Sequence, residues 1–297
     1  MSERHVRIAV ITPTYYRPRQ LITAVSALHD TRSHKHEIVF AIGLDADDHD
    51  GRRAVEFLLA HGLPVICVVA PEPPTLGEKT NGILKHVEAD AYAWIADDVI
   101  PMAQHWDSTI AAVFAGYRVP AFCWNELNDP GNTTYPVVTR RLLDALEGRL
   151  FDEWFPLWFV DTWLAEVCYF AFGERLRIVK ELVLGGTRGY PTVAHDLPYW
   201  FRFFALTRGE RVAQAQRVAQ AFGLEVNVAS DRRKAISECV AWDAMQRARV
   251  PHYVEALRGG IKDPPPRYWI ARTRADAHLA RLDLHSSADD PLGLRPA

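Results

Sequence analysis

The chain has 297 residues, 48% of them hydrophobic, and its 34 Lys and Arg against 37 Asp and Glu leave a net charge of -3. That apolar content suffices for one sizeable α/β core with a C-terminal appendage, and the charge balance excludes the global basic excess that advertises a phosphate backbone as partner. Cys67, Cys123, Cys168 and Cys239 show no C-x-x-C spacing, Ile8 to Ile11 is too brief for a signal-peptide core, and no run approaches the roughly 18 apolar residues of a membrane span; a zinc ribbon, a disulfide framework and a spanning helix are set aside, and a reducing cytoplasm is expected.

Ile8 to Ile11 is a continuous apolar run closed by Thr12-Pro13-Thr14, the pattern of a strand buried on both faces of a parallel sheet. Leu21, Ala24, Val25 and Leu28 then recur at helical spacing, and Glu37 to Leu44 reads as a second strand ending in Asp45-Ala46-Asp47-Asp48. The alternation continues with a helix through Ala54, Leu58 and Leu59, a strand at Pro64 to Ala70, a helix around Asn81 to Val87 and a strand at Tyr92 to Ala96. Such βαβ repetition predicts a mostly parallel central sheet flanked by helices, with ligands beyond the carboxyl ends of the strands.

Past Pro101 the pattern loosens into a helix near Trp106 to Ala115, a strand at Val119 to Trp124 and a loop from Asn125 to Tyr135. Phe151 to Phe172 is rich in aromatic residues around the acid Asp161, Glu210 to Phe222 reads as an amphipathic helix, and Asp231 is a candidate cap for another running toward Arg249. Asp263-Pro264-Pro265-Pro266 reads as a stiff linker before a tail of low apolar content. The expected organisation is one main domain over 1–205, dividing into a strand-exit half (1–101) and a looser half (102–205), then a helical extension over 206–262 and a linker with a partly disordered tail over 263–297.

Chemistry is sought first at Asp97-Asp98, which follow the apolar Ala93 to Ala96. A close acidic pair at a sheet edge suits a hard cation, since Mg²⁺ or Mn²⁺ takes one or two carboxylates and completes its shell with water and substrate phosphates; the plain alternative is a solvated turn. Arg17 is a candidate for a diphosphate, because guanidinium matches phosphate geometry, although its neighbours also suit an exposed turn.

Four stretches stand in a meaningful order: Val10 to Pro18, Asp45, Gly77 to Gly82 and Asp97-Asp98. Together they resemble the family 2 glycosyltransferases of the GT-A fold over roughly the first hundred residues. The resemblance implies a nucleoside diphosphate sugar, UDP-linked by expectation, lying across the strand ends with Mn²⁺ or Mg²⁺. It implies that Thr12, Pro13 and Thr14 line the nucleoside pocket, that Asp45 accepts a hydrogen bond from the base, that Asp97 contacts ribose and that Asp98 holds the metal, with Asp97 as the alternative metal carboxylate. Lys79 and Asn81 fall where the family often carries an Arg-Asn pair, so Lys79 keeps the charge but loses the planar fork; Ala96 stands where many relatives have a further Asp.

On the acceptor side, Asp161 sits in Trp158-Phe159-Val160-Asp161-Thr162-Trp163, where aromatic walls partly desolvate it. The resemblance implies that it is the base that deprotonates the acceptor hydroxyl in an inverting displacement, with Glu166 in reserve; an N-cap is the alternative. Trp158 and Trp163 are candidates to stack on an acceptor sugar, or else core residues. His195, after a loop read from Gly185-Gly186, resembles the late histidine that in several GT-A enzymes completes the metal shell. A nucleotidyltransferase and a catalytically silent nucleotide-binding protein compete with this reading; against the first, Pro13 and Pro18 stand where a glycine-rich phosphate loop would be needed. The acceptor is left open, nucleic acid included.

Overall fold

A computed structural model describes residues 5–71, 75–116, 120–127, 133–186, 197–226 and 266–282. β1 (Arg7–Pro13) and β2 (Glu37–Asp45) are covered on both faces, as their unbroken apolar runs require. β3 (Val65–Ala70) alternates in exposure because it lies at the sheet edge. Between them run α1 (Pro18–Asp30), which buries Leu21, Ala24, Val25 and Leu28, and α2 (His49–Ala60), whose N-cap Asp48 accepts from Gly51 N.

α3 (Leu76–Leu84) starts well before the apolar pattern suggests, because Thr75 caps it by accepting from Glu78 N, with Glu78 turned back to the Thr75 hydroxyl. β4 (Ala91–Trp94) then returns to the sheet beside β1.

The second half is β5 (Val99–Pro101), α4 (Trp106–Gly116), β6 (Ala121–Glu126), β7 (Pro136–Thr139), α5 (Arg140–Ala145), α6 (Val160–Phe172), β8 (Arg177–Gly186), α7 (Leu197–Leu206), α8 (Arg208–Ala221) and, as α9, Pro266–Arg281. The sheet has eight strands in the order β3-β2-β1-β4-β7-β6-β8-β5. β3, β2, β1 and β4 run parallel, as expected; β7 then pairs antiparallel to β4 and β6, and β5 pairs antiparallel to β8, so the second half is mixed.

Two details depart from the sequence expectations. Gly185 and Gly186 are strand residues, held by Ile100 and Val99 of β5, so the sheet takes up the start of the glycine loop. The segment from 263 onward contains the four-turn helix α9, with Tyr268 and Ala275 buried against the body; apolar residues spaced along one face were enough, once another surface was present to cover them. α8, which covers much of the amphipathic helix expected over Glu210 to Phe222, packs on α6, through Arg208 and Arg211 on Glu166. The helix anticipated after Asp231 lies outside the described residues.

Candidate active site

β1 lies between β2 and β4, so the three parallel exits Thr12 to Thr14, Asp45 and Asp97-Asp98 open on the same edge. The chain builds outward from β1 to β2 and β3 and then crosses to β4 on the other side, which makes the β1/β4 junction the topological switch point. A hydrogen bond spans that junction: Thr14 Oγ1 donates to Asp97 Oδ2 at 2.5 Å. Arg17, which precedes α1, places Nη1 at 3.2 Å from Asp97 Oδ1 and 3.0 Å from Asp98 Oδ2.

Burial raises the Asp97 carboxyl above the ordinary carboxylate range, while Thr14 and Arg17 pull it back and Asp98 pushes it further up. Asp98 is the more exposed of the two acids.

A cleft of about 280 Å³ opens beside this pair, lined by Pro13, Thr14, Arg17, Lys79 and Asp97 of the anticipated residues. Tyr15, Trp94, Pro156 and Leu157 line it as well, and so does Arg267 from α9. Tyr16 stands at positive φ, a strained choice for a bulky residue; it is held there by Asp48, whose Oδ2 accepts from Tyr16 N at 2.9 Å while Oδ1 caps α2. The acidic turn after β2 is therefore neither loose nor merely solvated.

Asp45 is fully buried and lies beneath the cleft rather than on its lining. Lys79 Nζ sits 2.5 Å from Asp45 Oδ1 and also donates to the Thr14 carbonyl, and Arg267 Nη1 approaches Oδ2 at 3.4 Å. Burial lowers the Lys79 ammonium from its ordinary value, and the hydrogen bond and charge of Asp45 oppose that shift. Thr12 is buried within β1, and its hydroxyl finds no partner among the described residues.

Asn81 points elsewhere. Its Nδ2 donates to the Phe151 carbonyl at 2.8 Å and to Glu153 Oε1 at 2.9 Å, and its Oδ1 accepts from Phe151 N, so it pins the 151–153 segment to α3. Gly77 serves the same junction, since a Cβ there would stand 2.0 Å from the Asp152 carbonyl oxygen. These contacts, with Leu76 N donating to the Pro156 carbonyl, bring Pro156 and Leu157 to the cleft.

Asp161 lies in the first turn of α6; the cap position belongs to Phe159, at φ 73°. The charges of Glu126, Asp98, Asp161 and Asp97 all act on Tyr135, and with burial as the first cause they hold its phenol protonated far above the ordinary range. Tyr135 also stacks on Trp94, which lines the cleft, at 5.7 Å between ring centroids. The charges of Asp161 and of the Asp97-Asp98 pair thus both reach one buried phenol beside the cleft.

Glu166, one turn further along α6, is engaged by Arg208 at 3.6 Å and by the buried Arg211. Trp163 is buried, donates from Nε1 to Gln214 Oε1 at 2.8 Å and borders a separate cavity of about 160 Å³ with Asp152 and Glu210. Trp158 is partly buried, with an Nε1 that has no partner among the described residues. His195 lies outside the described residues. Sequence reasoning missed Tyr15, Glu126, Tyr135 and Arg267; only Tyr15, inside the Thr12 to Pro18 run, carried a signal.

The sequence matches no family model and no curated protein. The structure does match solved ones. The mannosyltransferase PcManGT from Pyrobaculum calidifontis, in complex with GDP-Man and Mn²⁺, aligns over 94% of this chain and 87% of its own at a TM-score of 0.53 and 16% identity. TarS 1-349 of S. aureus, in complex with UDP, aligns over 73% and 70% at a TM-score of 0.52 and 14% identity. With its parallel β3-β2-β1-β4 half, its antiparallel β4/β7 crossover and acids at the switch point, the chain has the GT-A glycosyltransferase fold.

Proposed function

We infer that this chain is a nucleotide-sugar-dependent glycosyltransferase, with the donor laid along the cleft from Asp45 to Asp98 and the acceptor hydroxyl entering from the α6 side. The observation that carries the reading is the junction of Thr14, Arg17, Asp97 and Asp98 at the switch point, opening on a cleft that cationic and aromatic side chains line. Solved proteins of the same fold hold UDP, or GDP-Man with Mn²⁺.

The donor set fits a divalent cation of the Mg²⁺ or Mn²⁺ kind. Among the described residues no three His, Cys, Asp or Glu side chains form a cage, but such ions take one or two carboxylates and fill the rest of their shell with water and phosphate. Asp98, the more exposed acid, would hold it, with Asp97 beside it; the ion would supply Lewis-acid stabilisation of the leaving diphosphate. Arg17 already spans both carboxylates and can turn a donor toward phosphate oxygens once a nucleotide enters. Asp161 receives the acceptor proton as the hydroxyl attacks the anomeric carbon, and inversion follows if that attack is a single displacement.

The test is release of nucleoside diphosphate from UDP-sugars and GDP-mannose, with Mn²⁺, with Mg²⁺ and in EDTA, followed by mass spectrometry of candidate acceptors. Turnover lost in EDTA and restored by Mn²⁺ supports the reading. Full turnover in EDTA leaves Arg17 as the cation at the diphosphate and removes the metal, and absence of nucleotide binding removes the function.

A further inference from the structure

One wall of the cleft comes from no strand exit. Arg267, in the first turn of α9, is 222 positions from Asp45 in sequence, yet its Nη1 lies 3.4 Å from Asp45 Oδ2. Its guanidinium carbon sits 4.1 Å from the centroid of the Tyr15 ring, and the side chain keeps 30% exposure where it lines the cleft. Stacking on an aromatic face with one edge on a carboxylate fixes a guanidinium far better than a surface arginine is usually fixed.

The seat is held from behind. On the same helix Arg274 Nη1 is 2.6 Å from Glu78 Oε1 of α3, His278 pairs with Glu210 and stacks on Trp154 at 4.3 Å, and Tyr268 is buried. α9 therefore presents Arg267 from a docked position.

What the cleft sees at this end follows from the charges. The fully buried Asp45 is shared by Lys79 and Arg267, and these two cations line the cleft while the acid does not. Asp45 acts as a positioning residue for two donors. A guanidinium carries five N–H donors, and those not spent on Asp45 are matched by water or by acceptor oxygens of a ligand. The Asp45 end lies across β1 from the Asp97-Asp98 end, so a diphosphate at Asp98 leaves the nucleoside at Asp45.

We propose that Arg267 is a nucleoside-binding residue: seated on Tyr15 and Asp45, its guanidinium donates, beside Lys79, to a carbonyl oxygen of the base, so that the C-terminal helix α9 completes the donor pocket. The proposal rests on the cleft being the nucleotide-sugar site. It also sets a base preference, because uracil offers carbonyl oxygens on both sides of its ring N–H whereas adenine offers none.

Calorimetry of UDP and ADP, with uridine measured by competition against UDP, on the full chain and its variants tests this. The wild type is expected to favour UDP over ADP. Arg267→Ala should weaken uridine and UDP by the same factor, roughly tenfold to a hundredfold, and Arg267→Lys should recover only part of it while keeping charge and fold. Arg281→Ala, at an exposed position of α9 outside the docking contacts, should leave affinity within about threefold.

Unchanged or tighter UDP binding in Arg267→Ala overturns the proposal, the tighter case making Arg267 an occupant that the base must displace. Loss for UDP but not for uridine moves the guanidinium to the phosphates and overturns the nucleoside assignment, as does an equal loss in Arg281→Ala, which would make the effect one of the helix's overall charge. A wild type that binds no nucleoside diphosphate fails the glycosyltransferase reading itself, an outcome distinct from all of these.

Discussion

The two sides of the cleft are built by different means. On the strand-exit side, β1, β2 and β4 run parallel and buried, so their exits meet at one edge whatever the surrounding loops do, and Thr14, Asp45 and Asp97 are fixed by strand register. On the facing wall nothing is fixed by a strand exit alone: Pro156 and Leu157 reach the cleft because Asn81 and Gly77 clamp the preceding segment, and Arg267 arrives on a helix from the far end of the chain. A site framed by register tolerates change in its neighbours, whereas one assembled by docking depends on a few contacts, each of which can be cut.

The largest effects should come from the two acids to which the proposed function assigns the chemistry. Asp161→Asn is expected to bind nucleotide normally while transfer falls by roughly 10² to 10⁴, because the amide accepts no proton at neutral pH; Asp98→Ala should lose turnover and also the metal dependence of nucleotide binding. Paired measurement of UDP affinity with and without Mn²⁺ and of transfer separates them. If Asp161→Asn transfers at the wild-type rate, the base lies elsewhere and Glu126 is the next acid to test.

Glu166→Gln probes docking rather than chemistry. It removes the charge that balances Arg211 and Arg208, so about 2–3 kcal/mol of stability should be lost, less than for a wholly buried pair because Glu166 is partly exposed. Denaturant midpoints would show it, with uridine diphosphate affinity retained at temperatures where the variant is folded. A stable but inactive Glu166→Gln would return it to the list of candidate bases.

Gly77→Ala strikes the clamp itself. A methyl group directed at the Asp152 carbonyl forces α3 and the 151–156 segment apart, at a cost of about 1–3 kcal/mol, and should weaken donor binding through the displaced Pro156 and Leu157. Wild-type melting with unchanged nucleotide affinity would show that the two sides do not depend on this contact.

The last prediction concerns pH. Burial lifts the Asp152 carboxyl to about 7, with its Oδ1 accepting from Trp154 N as a partial offset. A folded value above the unfolded one means that the stabilisation is fully present below about 4 and is lost as pH rises through about 7. Asp152→Asn should flatten that part of the stability profile, and an unaltered slope between pH 4 and 7 would place the proton elsewhere.

Much of the strand-exit side of the cleft is legible in the amino-acid sequence. Unbroken apolar runs marked β1 and β2, and the rule that ligands lie beyond strand carboxyl ends selected Thr14, Asp45 and Asp97-Asp98 before any contact was known. The start of α3 was misjudged because Thr75 and Glu78 announce it more clearly than the apolar residues that follow. Asn81, Glu166 and Trp163 were chosen by residue type and position, and type says nothing about direction: the three side chains are turned to Phe151, Arg211 and Gln214.

By itself the sequence determined the strand and helix alternation of the first hundred residues and the acids at the strand exits, because periodicity and strand ends are local properties. Only the tertiary structure decided that Gly185 and Gly186 belong to the sheet, that Asp45 lies beneath two cations, and that a helix beyond a proline run carries Arg267 into the cleft. Those outcomes depend on which surfaces cover one another across chain separations that run from 34 residues, Asp45 to Lys79, to 222, Asp45 to Arg267, and burial and ion pairing are settled by the partner that arrives.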